Sequence, residues 1–219
     1  MKVIAHIEND LNEKFGIPRQ SGLVDTLESR IVFEPEYHNA DALRGLEDFS
    51  HLWLIWDFSE SHREAWSPTV RPPRLGGNKR MGVFATRSPF RPNPIGLSSV
   101  RILSIEKSSA RGPIIHVSGA DLMNGTPIWD IKPYLPLSDC HPDASSGFAE
   151  MTSQQPMLDV VVPHWLEAKL SPAKLDSLRQ ILAADPRPHY QADSERIYGM
   201  EYAGINIKFK VRNNTLTIL

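Results

Sequence analysis

Six prolines, Pro68, Pro72, Pro73, Pro89, Pro92 and Pro94, crowd into residues 62–101, and each removes a backbone donor and collides with a preceding helical turn. That block cannot form a long helix. It reads as a rigid, largely irregular loop system feeding a strand at Leu97–Ile105. The block is also basic, with 8 Lys+Arg against 1 Asp+Glu, whereas residues 1–61 carry 5 against 12 and residues 102–219 carry 11 against 13. The net charge of -2 at pH 7 therefore averages an acidic, a basic and a near-neutral segment, and does not exclude a polyanionic partner.

Around this block short apolar runs recur at Val3–Ile7, Arg30–Phe33, Leu52–Phe58, Ile114–Val117 and Ile128–Ile131. They are rich in Val, Ile, Phe and Trp and are separated by Gly, Pro, Asn and Asp, the pattern of a strand-dominated barrel or sandwich. One short helix is predicted at Asp41–Leu46. Residues 138–156, full of Ser, Asp, Gln, Pro and Gly, read as a linker or long loop. Beyond them Leu158–Val162 reads as a strand. A helix starts at Ser171-Pro172, aligns Leu175, Leu178, Ile181 and Leu182 on one face and stops before Pro186. The tail pairs Ile197–Tyr202 with Ile205–Val211, and Asn213-Asn214 turns the chain into Leu216–Leu219. Lys208, Lys210 and Arg212 alternate with Ile207, Phe209 and Val211, a basic stripe opposite a core stripe. The predicted organisation is a mainly β domain over residues 1–137, a linker over 138–156 and a C-terminal α+β module over 157–219.

Apolar residues make up 41% of the 219 and charged residues 23%, which is enough for a core and excludes a disordered or collagen-like chain. No run approaches the ~18 apolar residues of a membrane helix, and Glu8 and Asp10 follow Met1 too soon for a signal peptide. A cytoplasmic protein with no membrane partner is expected. The single Cys140 excludes an intrachain disulfide and any CxxC metal site, and the eight His residues are scattered, so no metal is expected.

Dinucleotide, P-loop, zincin and α/β-hydrolase signatures are absent. Two other constellations carry the chemistry. In Thr86-Arg87-Ser-Pro-Phe-Arg91-Pro92-Asn93-Pro94 two arginines and an amide are held in a proline-stiffened loop, which removes entropy before a ligand arrives. Upstream, Arg71, Arg74, Lys79 and Arg80 lie between prolines and glycines at separations suited to phosphates along a backbone. The second constellation is Asn124-Gly125-Thr126-Pro127, a turn, followed by Asp130, Lys132 and Tyr134 on one face of an extended segment. A third short loop, Gly16-Ile-Pro18-Arg19-Gln20, adds a cation and an amide.

GVFATRSPFRPNPIG (82–96), NGTPIWDIKPY (124–134), HLWLIW (51–56), PTVRPPRLGG (68–77) and IPRQSGL (17–23) occur in order. Together they resemble the TsaA-like, TrmO-type family of S-adenosylmethionine-dependent tRNA methyltransferases. The resemblance is specific over residues 3–137 and weaker to the C-terminus. It implies a small antiparallel β-barrel, not the doubly wound Rossmann type, with a C-terminal α+β appendage. It further implies homodimers and methylation of N6 of threonylcarbamoyladenosine at tRNA position 37. The family's cofactor contacts fall on Pro18, Arg19, Gln20, Ser59, Glu60, Arg87, Leu97, Asn124, Gly125, Thr126 and Pro127. This chain has Ser59-Glu60 where relatives often have His-Gln or His-Lys, and Asn124 where they commonly have Asp.

Methyl transfer to nitrogen is an in-line displacement that depends on alignment, and the acceptor must lose a proton. Asp130 or Tyr134 is a candidate acceptor, with Lys132 or Arg91 holding the threonyl carboxylate. Arg71, Arg74, Lys79, Arg80, Arg91 and Asn93, with Lys208, Lys210 and Arg212 as an auxiliary patch, are candidates for tRNA contact. The competing readings are a non-catalytic RNA-binding barrel and a methyltransferase for another small substrate.

Overall fold

The alternating apolar runs of the N-terminal half become strands because β-branched and aromatic side chains pack well on a pleated surface with one buried face. A computed structural model describes residues 1–72, 75, 79–152, 157–187 and 193–219. The strands are β1 (Ala5–Glu8), β2 (Glu28–Phe33), β3 (His51–Asp57), β4 (Thr69–Val70), β5 (Met81–Gly82), β6 (Ile95–Glu106), β7 (Ile114–Ser118) and β8 (Pro127–Pro133). All but β4 and β5 close into a barrel in the order β1-β2-β7-β6-β3-β8, every pair antiparallel. Among the described residues β4 and β5 pair with each other alone.

Strand alternation decides what fills the barrel. Leu52, Leu54 and Trp56 of β3 point inward to meet Ile7, Ile31 and Ile128, and Trp53 and Ile55 stay on the outer face. Trp56 pairs with Gly96 of β6, and a Cβ at position 96 would sit 2.1 Å from the indole. Glycine there makes room for a large ring in a narrow barrel. Register shifts at Ile55/Trp56 and Ile102/Ser104 bend the strands.

The predicted helix at Asp41–Leu46 is instead two 3-10 turns, Ala40–Leu43 and Leu46–Asp48, because Gly45 adopts φ 87 between them. After β8 come α1 (Pro136–Asp139), a 3-10 turn at Gly147–Thr152, β9 (Asp159–Val161), α2 (His164–Glu167) and α3 (Pro172–Ala183). β10 (Tyr198–Tyr202), β11 (Ile205–Arg212) and β12 (Thr215–Ile218) complete the chain. The second sheet runs β10-β11-β12-β9, with β12 and β9 parallel. Ser171 caps α3 by accepting from the Lys174 amide at 3.4 Å, and Asn213 and Asn214 take left-handed φ values of 46 and 62 to turn β11 into β12. No helix among the described residues is long and apolar enough to cross a membrane.

A second core lies between α3 and this sheet, and it takes in Leu11, Val24 and Leu27 from the N-terminal half. Polar ties reinforce the sharing. Lys174 Nζ meets Asp10 at 2.8 Å, Ser177 Oγ donates to the Thr26 carbonyl at 2.8 Å, and the Ala203 amide donates to the Asp10 carbonyl at 3.2 Å. The segment carrying Pro18, Arg19 and Gln20 is thereby clamped between barrel and C-terminal module.

Candidate functional site

The proline-rich block folds on itself through short side-chain bonds. Thr86 Oγ1 donates to the Val83 carbonyl at 2.8 Å and accepts from the Ser88 amide at 3.2 Å, and the Phe90 amide donates to Ser88 Oγ at 3.2 Å. Arg91 Nη1 donates to the Thr86 carbonyl at 3.1 Å. A loop fixed this way presents its arginines along one wall of a cleft of about 1610 Å³. Arg63, Arg71, Arg80, Arg87 and Arg91 come from the block, Arg19 from the N-terminal loop and Arg187 from the C-terminal module, against one acid, Glu64, among the described lining residues. The segment predicted as a linker supplies Ser145, Ser146, Phe148 and Ala149 to the same cleft. Arg187 is neutralised by Asp185, to which its Nε donates at 2.8 Å, but Arg71 and Arg80 form no ion pair among the described residues, so the cleft keeps a net positive charge suited to a polyanion.

At one end of the cleft three predicted residues meet. Arg87 Nη1 donates to Gln20 Oε1 at 2.6 Å, Gln20 Nε2 donates to the Arg19 carbonyl at 2.7 Å, and Arg19 Nη2 donates to the carbonyls of Asp185 and Arg187 at 2.9 Å each. Behind them lies Asp121. It accepts from Ser98 Oγ at 2.5 Å, and Ser98 in turn accepts from Trp56 Nε1 at 3.0 Å inside the barrel. Burial pushes the Asp121 carboxyl above the usual carboxylate range, opposed by the Ser98 hydroxyl, the amides of Asp121 and Ser21 and the charge of Arg87.

The rest of the predicted cofactor set is spread out. Pro18 is buried, and Ser59 and Glu60 form a 3-10 turn beside Ser61 of the cleft, where Lys14 Nζ donates to the Glu60 carbonyl at 2.5 Å. Leu97 projects from the outer face of β6 and is 56% exposed. The turn at Asn124, Gly125 and Thr126 and the first β8 residue, Pro127, do not line the cleft. Gly125 holds φ 79, and Asn124 accepts from the Asn9 amide at 3.1 Å and donates to Asn12 Oδ1 at 2.9 Å. The turn thus tolerates asparagine, whose amide gains a donor bond that a carboxylate could not make. Asn124 borders a second hollow of about 760 Å³ between barrel and module.

Asp130, Lys132 and Tyr134 share the outer face of the barrel and are also outside the cleft. Lys132 Nζ meets Asp130 Oδ2 at 2.8 Å, the two residues pair with Trp53 and Ile55 of β3 respectively, and Tyr134 leans on Trp53 with centroids 5.4 Å apart. Among the proposed RNA contacts, Arg71, Arg80 and Arg91 line the cleft, and Lys79 and Asn93 are exposed on the same block. Arg74 lies outside the described residues. Lys208, Lys210 and Arg212 sit on the outer side of the second sheet, with Arg212 held by Glu195.

The sequence reading assigned no role to Asp121, Arg63, Arg187, Trp66, Phe84 or Phe90. Asp121 lies three residues before the Asn124 turn, and the aromatics lie among the arginines of the basic block, a combination that itself signals nucleic-acid binding.

The family model for the tRNA-methyltransferase O N-terminal domain matches residues 6–140, and that for the TrmO C-terminal domain matches residues 155–219. The chain is 41% identical over 220 residues to the tRNA (adenine(37)-N6)-methyltransferase of Escherichia coli K12, covering 95% of this chain and 91% of that protein. It is 37% identical over 215 residues to a putative S-adenosylmethionine-dependent methyltransferase, RcsF, of Pseudomonas aeruginosa, covering 93% and 89%. A crystal structure of TrmO superposes with a TM-score of 0.78 at 30% identity, covering 100% of this chain and 97% of that one.

Proposed function

Because the chain belongs to the tRNA-methyltransferase O family, we propose that it is an S-adenosylmethionine-dependent enzyme that methylates N6 of adenosine 37 in tRNA. Its finer substrate is the threonylcarbamoyl form of that adenosine. The observation that carries this reading is the cleft itself, where six arginines not paired with Asp185 stand beside one acid among the described lining residues and Arg87 meets Gln20.

The residues fit the cofactor. Arg87 offers a guanidinium to an amino-acid carboxylate, Gln20 an amide, and Asp121 a recessed carboxylate toward cationic or hydroxyl groups. When bound, S-adenosylmethionine supplies an electrophilic methyl group. The chain's part is alignment: the clamped Pro18–Gln20 loop and the proline-fixed Arg87 and Arg91 restrict the approach of the acceptor nitrogen. Position 37 lies in an unpaired loop, so presenting the base costs little pairing energy.

A homodimer in the cytoplasm completes the proposal. Ile95, Leu97, Leu135 and Leu137 are 38%, 56%, 46% and 104% exposed, and α1 is tied beside them through the Trp53 indole donating to Asp139 at 2.7 Å. A second copy covering these side chains would remove water from Asp130, Lys132 and Tyr134, where the proton acceptor is proposed. Light scattering of Leu97→Asp against the parent chain tests the dimer.

The decisive assay compares transfer of labelled methyl to tRNA with and without the threonylcarbamoyl group. Transfer only to the modified tRNA is expected. Equal transfer to both removes the finer substrate, and no thermal stabilisation by saturating S-adenosylmethionine would favour a non-catalytic RNA-binding barrel.

A further inference from the structure

One aromatic pair and one cation–π pair in the cleft lie outside the residues assigned to the cofactor above. Trp66 and Phe84 lie 6.0 Å apart between ring centroids, 30° from parallel, and remain 52% and 71% exposed. Trp66 precedes β4 and Phe84 follows β5, so the ladder that pairs Thr69 with Gly82 brings the two rings together. The Arg63 guanidinium sits 3.6 Å over the centroid of Phe90, which is itself 37% exposed. All four side chains line the arginine cleft.

Large rings left in water are unfavourable until a partner covers them. The charge around them selects that partner. Arg71 and Arg80 line the same cleft without an ion pair among the described residues, so the occupant must bring negative charge together with flat apolar faces. Unpaired nucleotides have both, since every base has a π face and every link a phosphate. A duplex buries its base faces, and an acidic peptide has no regular array of them.

We infer that Trp66, Phe84 and the Arg63–Phe90 pair form a stacking platform for unpaired nucleotides flanking the methylated base, an inference that rests on tRNA being the substrate. The platform selects a single-stranded loop over a helix, and the arginines supply attraction without regard to sequence.

The test uses the full chain, a fluorescently labelled anticodon stem-loop hairpin, and a blunt RNA duplex with the same number of phosphates. Trp66→Ala and Phe84→Ala together weaken hairpin binding about 5- to 150-fold and leave duplex binding within about twofold. The salt dependence of hairpin binding stays unchanged, because no cation is removed. Trp66→Phe keeps most of the hairpin affinity, which separates loss of stacking from a folding defect. Equal losses on hairpin and duplex, or no loss on the hairpin, overturn the platform. A changed oligomeric state with hairpin affinity intact also overturns it and makes the rings a protein contact. Methyl transfer by the parent chain is measured in parallel. Transfer without ring-dependent hairpin binding sinks the platform alone; ring-dependent hairpin binding without transfer supports the platform and sinks the methyltransferase reading.

Discussion

The cleft and the outer face of the barrel hold their polar groups in opposite ways. In the cleft, residues as far apart in sequence as Arg19, Arg87 and Arg187 are drawn together by loops whose own bonds, such as Arg91 to the Thr86 carbonyl, fix them in place. On the outer face, Asp130 and Lys132 are two residues apart on one strand, 46% and 61% exposed in their side chains, and neutralise each other. An exposed pair of this kind contributes about 0–1 kcal/mol and exerts little field on a ligand. Under the proposed function the contrast assigns recognition to the cleft, with the outer face acquiring strong electrostatics only if a second surface excludes water from it.

The largest expected effect divides these two regions directly. Arg87→Gln should lower kcat/KM for tRNA methylation by about 100-fold, since it removes the charge that meets Gln20 and faces Asp121. Asp130→Asn should cost about tenfold or less in single-turnover rate. If Asp130→Asn proves the more damaging of the two, the outer face carries the alignment and the comparison is reversed. If Asp130→Asn and Tyr134→Phe both keep the full single-turnover rate, neither accepts the proton.

Next in size is a contrast in packing. Gly96→Ala would force a methyl to within 2.1 Å of the Trp56 ring and should destabilise the fold by about 3 kcal/mol. Gly82→Ala, in the cleft loop, meets open space at φ -58 and should change stability by about 0.5 kcal/mol or less. Denaturant melts of the two variants report the difference. Similar losses at both sites would mean the loop is packed as tightly as the barrel.

A smaller effect separates the cleft from the basic stripe of the C-terminal sheet. Replacing Arg71 and Arg80 by Gln should reduce the slope of log affinity against log salt by about 1 each, and replacing Lys208 and Lys210 should leave it unchanged. An equal fall from the lysine pair would extend the RNA path across both units.

Much of the barrel could be read directly. Leu52, Leu54 and Trp56 alternate with Trp53 and Ile55, and a period of two has only one structural meaning over seven residues. Ser171-Pro172 and Asn213-Asn214 are equally local signals and mark a helix start and a hairpin turn. Local signals fail where distant segments meet. Nothing near Asp121 announces that Ser98 and Ser21 will enclose it, or that residues 145–149 will reach the arginines. The Asp41–Leu46 helix failed for a local reason instead: the left-handed backbone of Gly45 ends one 3-10 segment and begins another. Trp66 and Phe84 carry no period at all, because a two-residue ladder between prolines and glycines brings them together.

The smallest expected effect concerns the energetic cost of the cleft's design. Asp121 has a folded-state pKa raised above its unfolded value, by burial first. Between those two values the native state binds more protons than the unfolded state, so stability falls as pH rises through that window and the penalty is complete above it. Asp121→Asn retains an oxygen to accept from Ser98 and removes the buried charge. Melting temperatures should therefore rise slightly over the parent at neutral pH, with the advantage fading on acidification below the unfolded carboxylate value, even as methyl transfer falls. A variant less stable at neutral pH than at acid pH, relative to the parent, would show that Arg87 outweighs burial at this site. Asp130, exposed and paired with Lys132, should show no such gain. A carboxylate kept at a cost to folding beside Arg87 fits a group retained for what it binds.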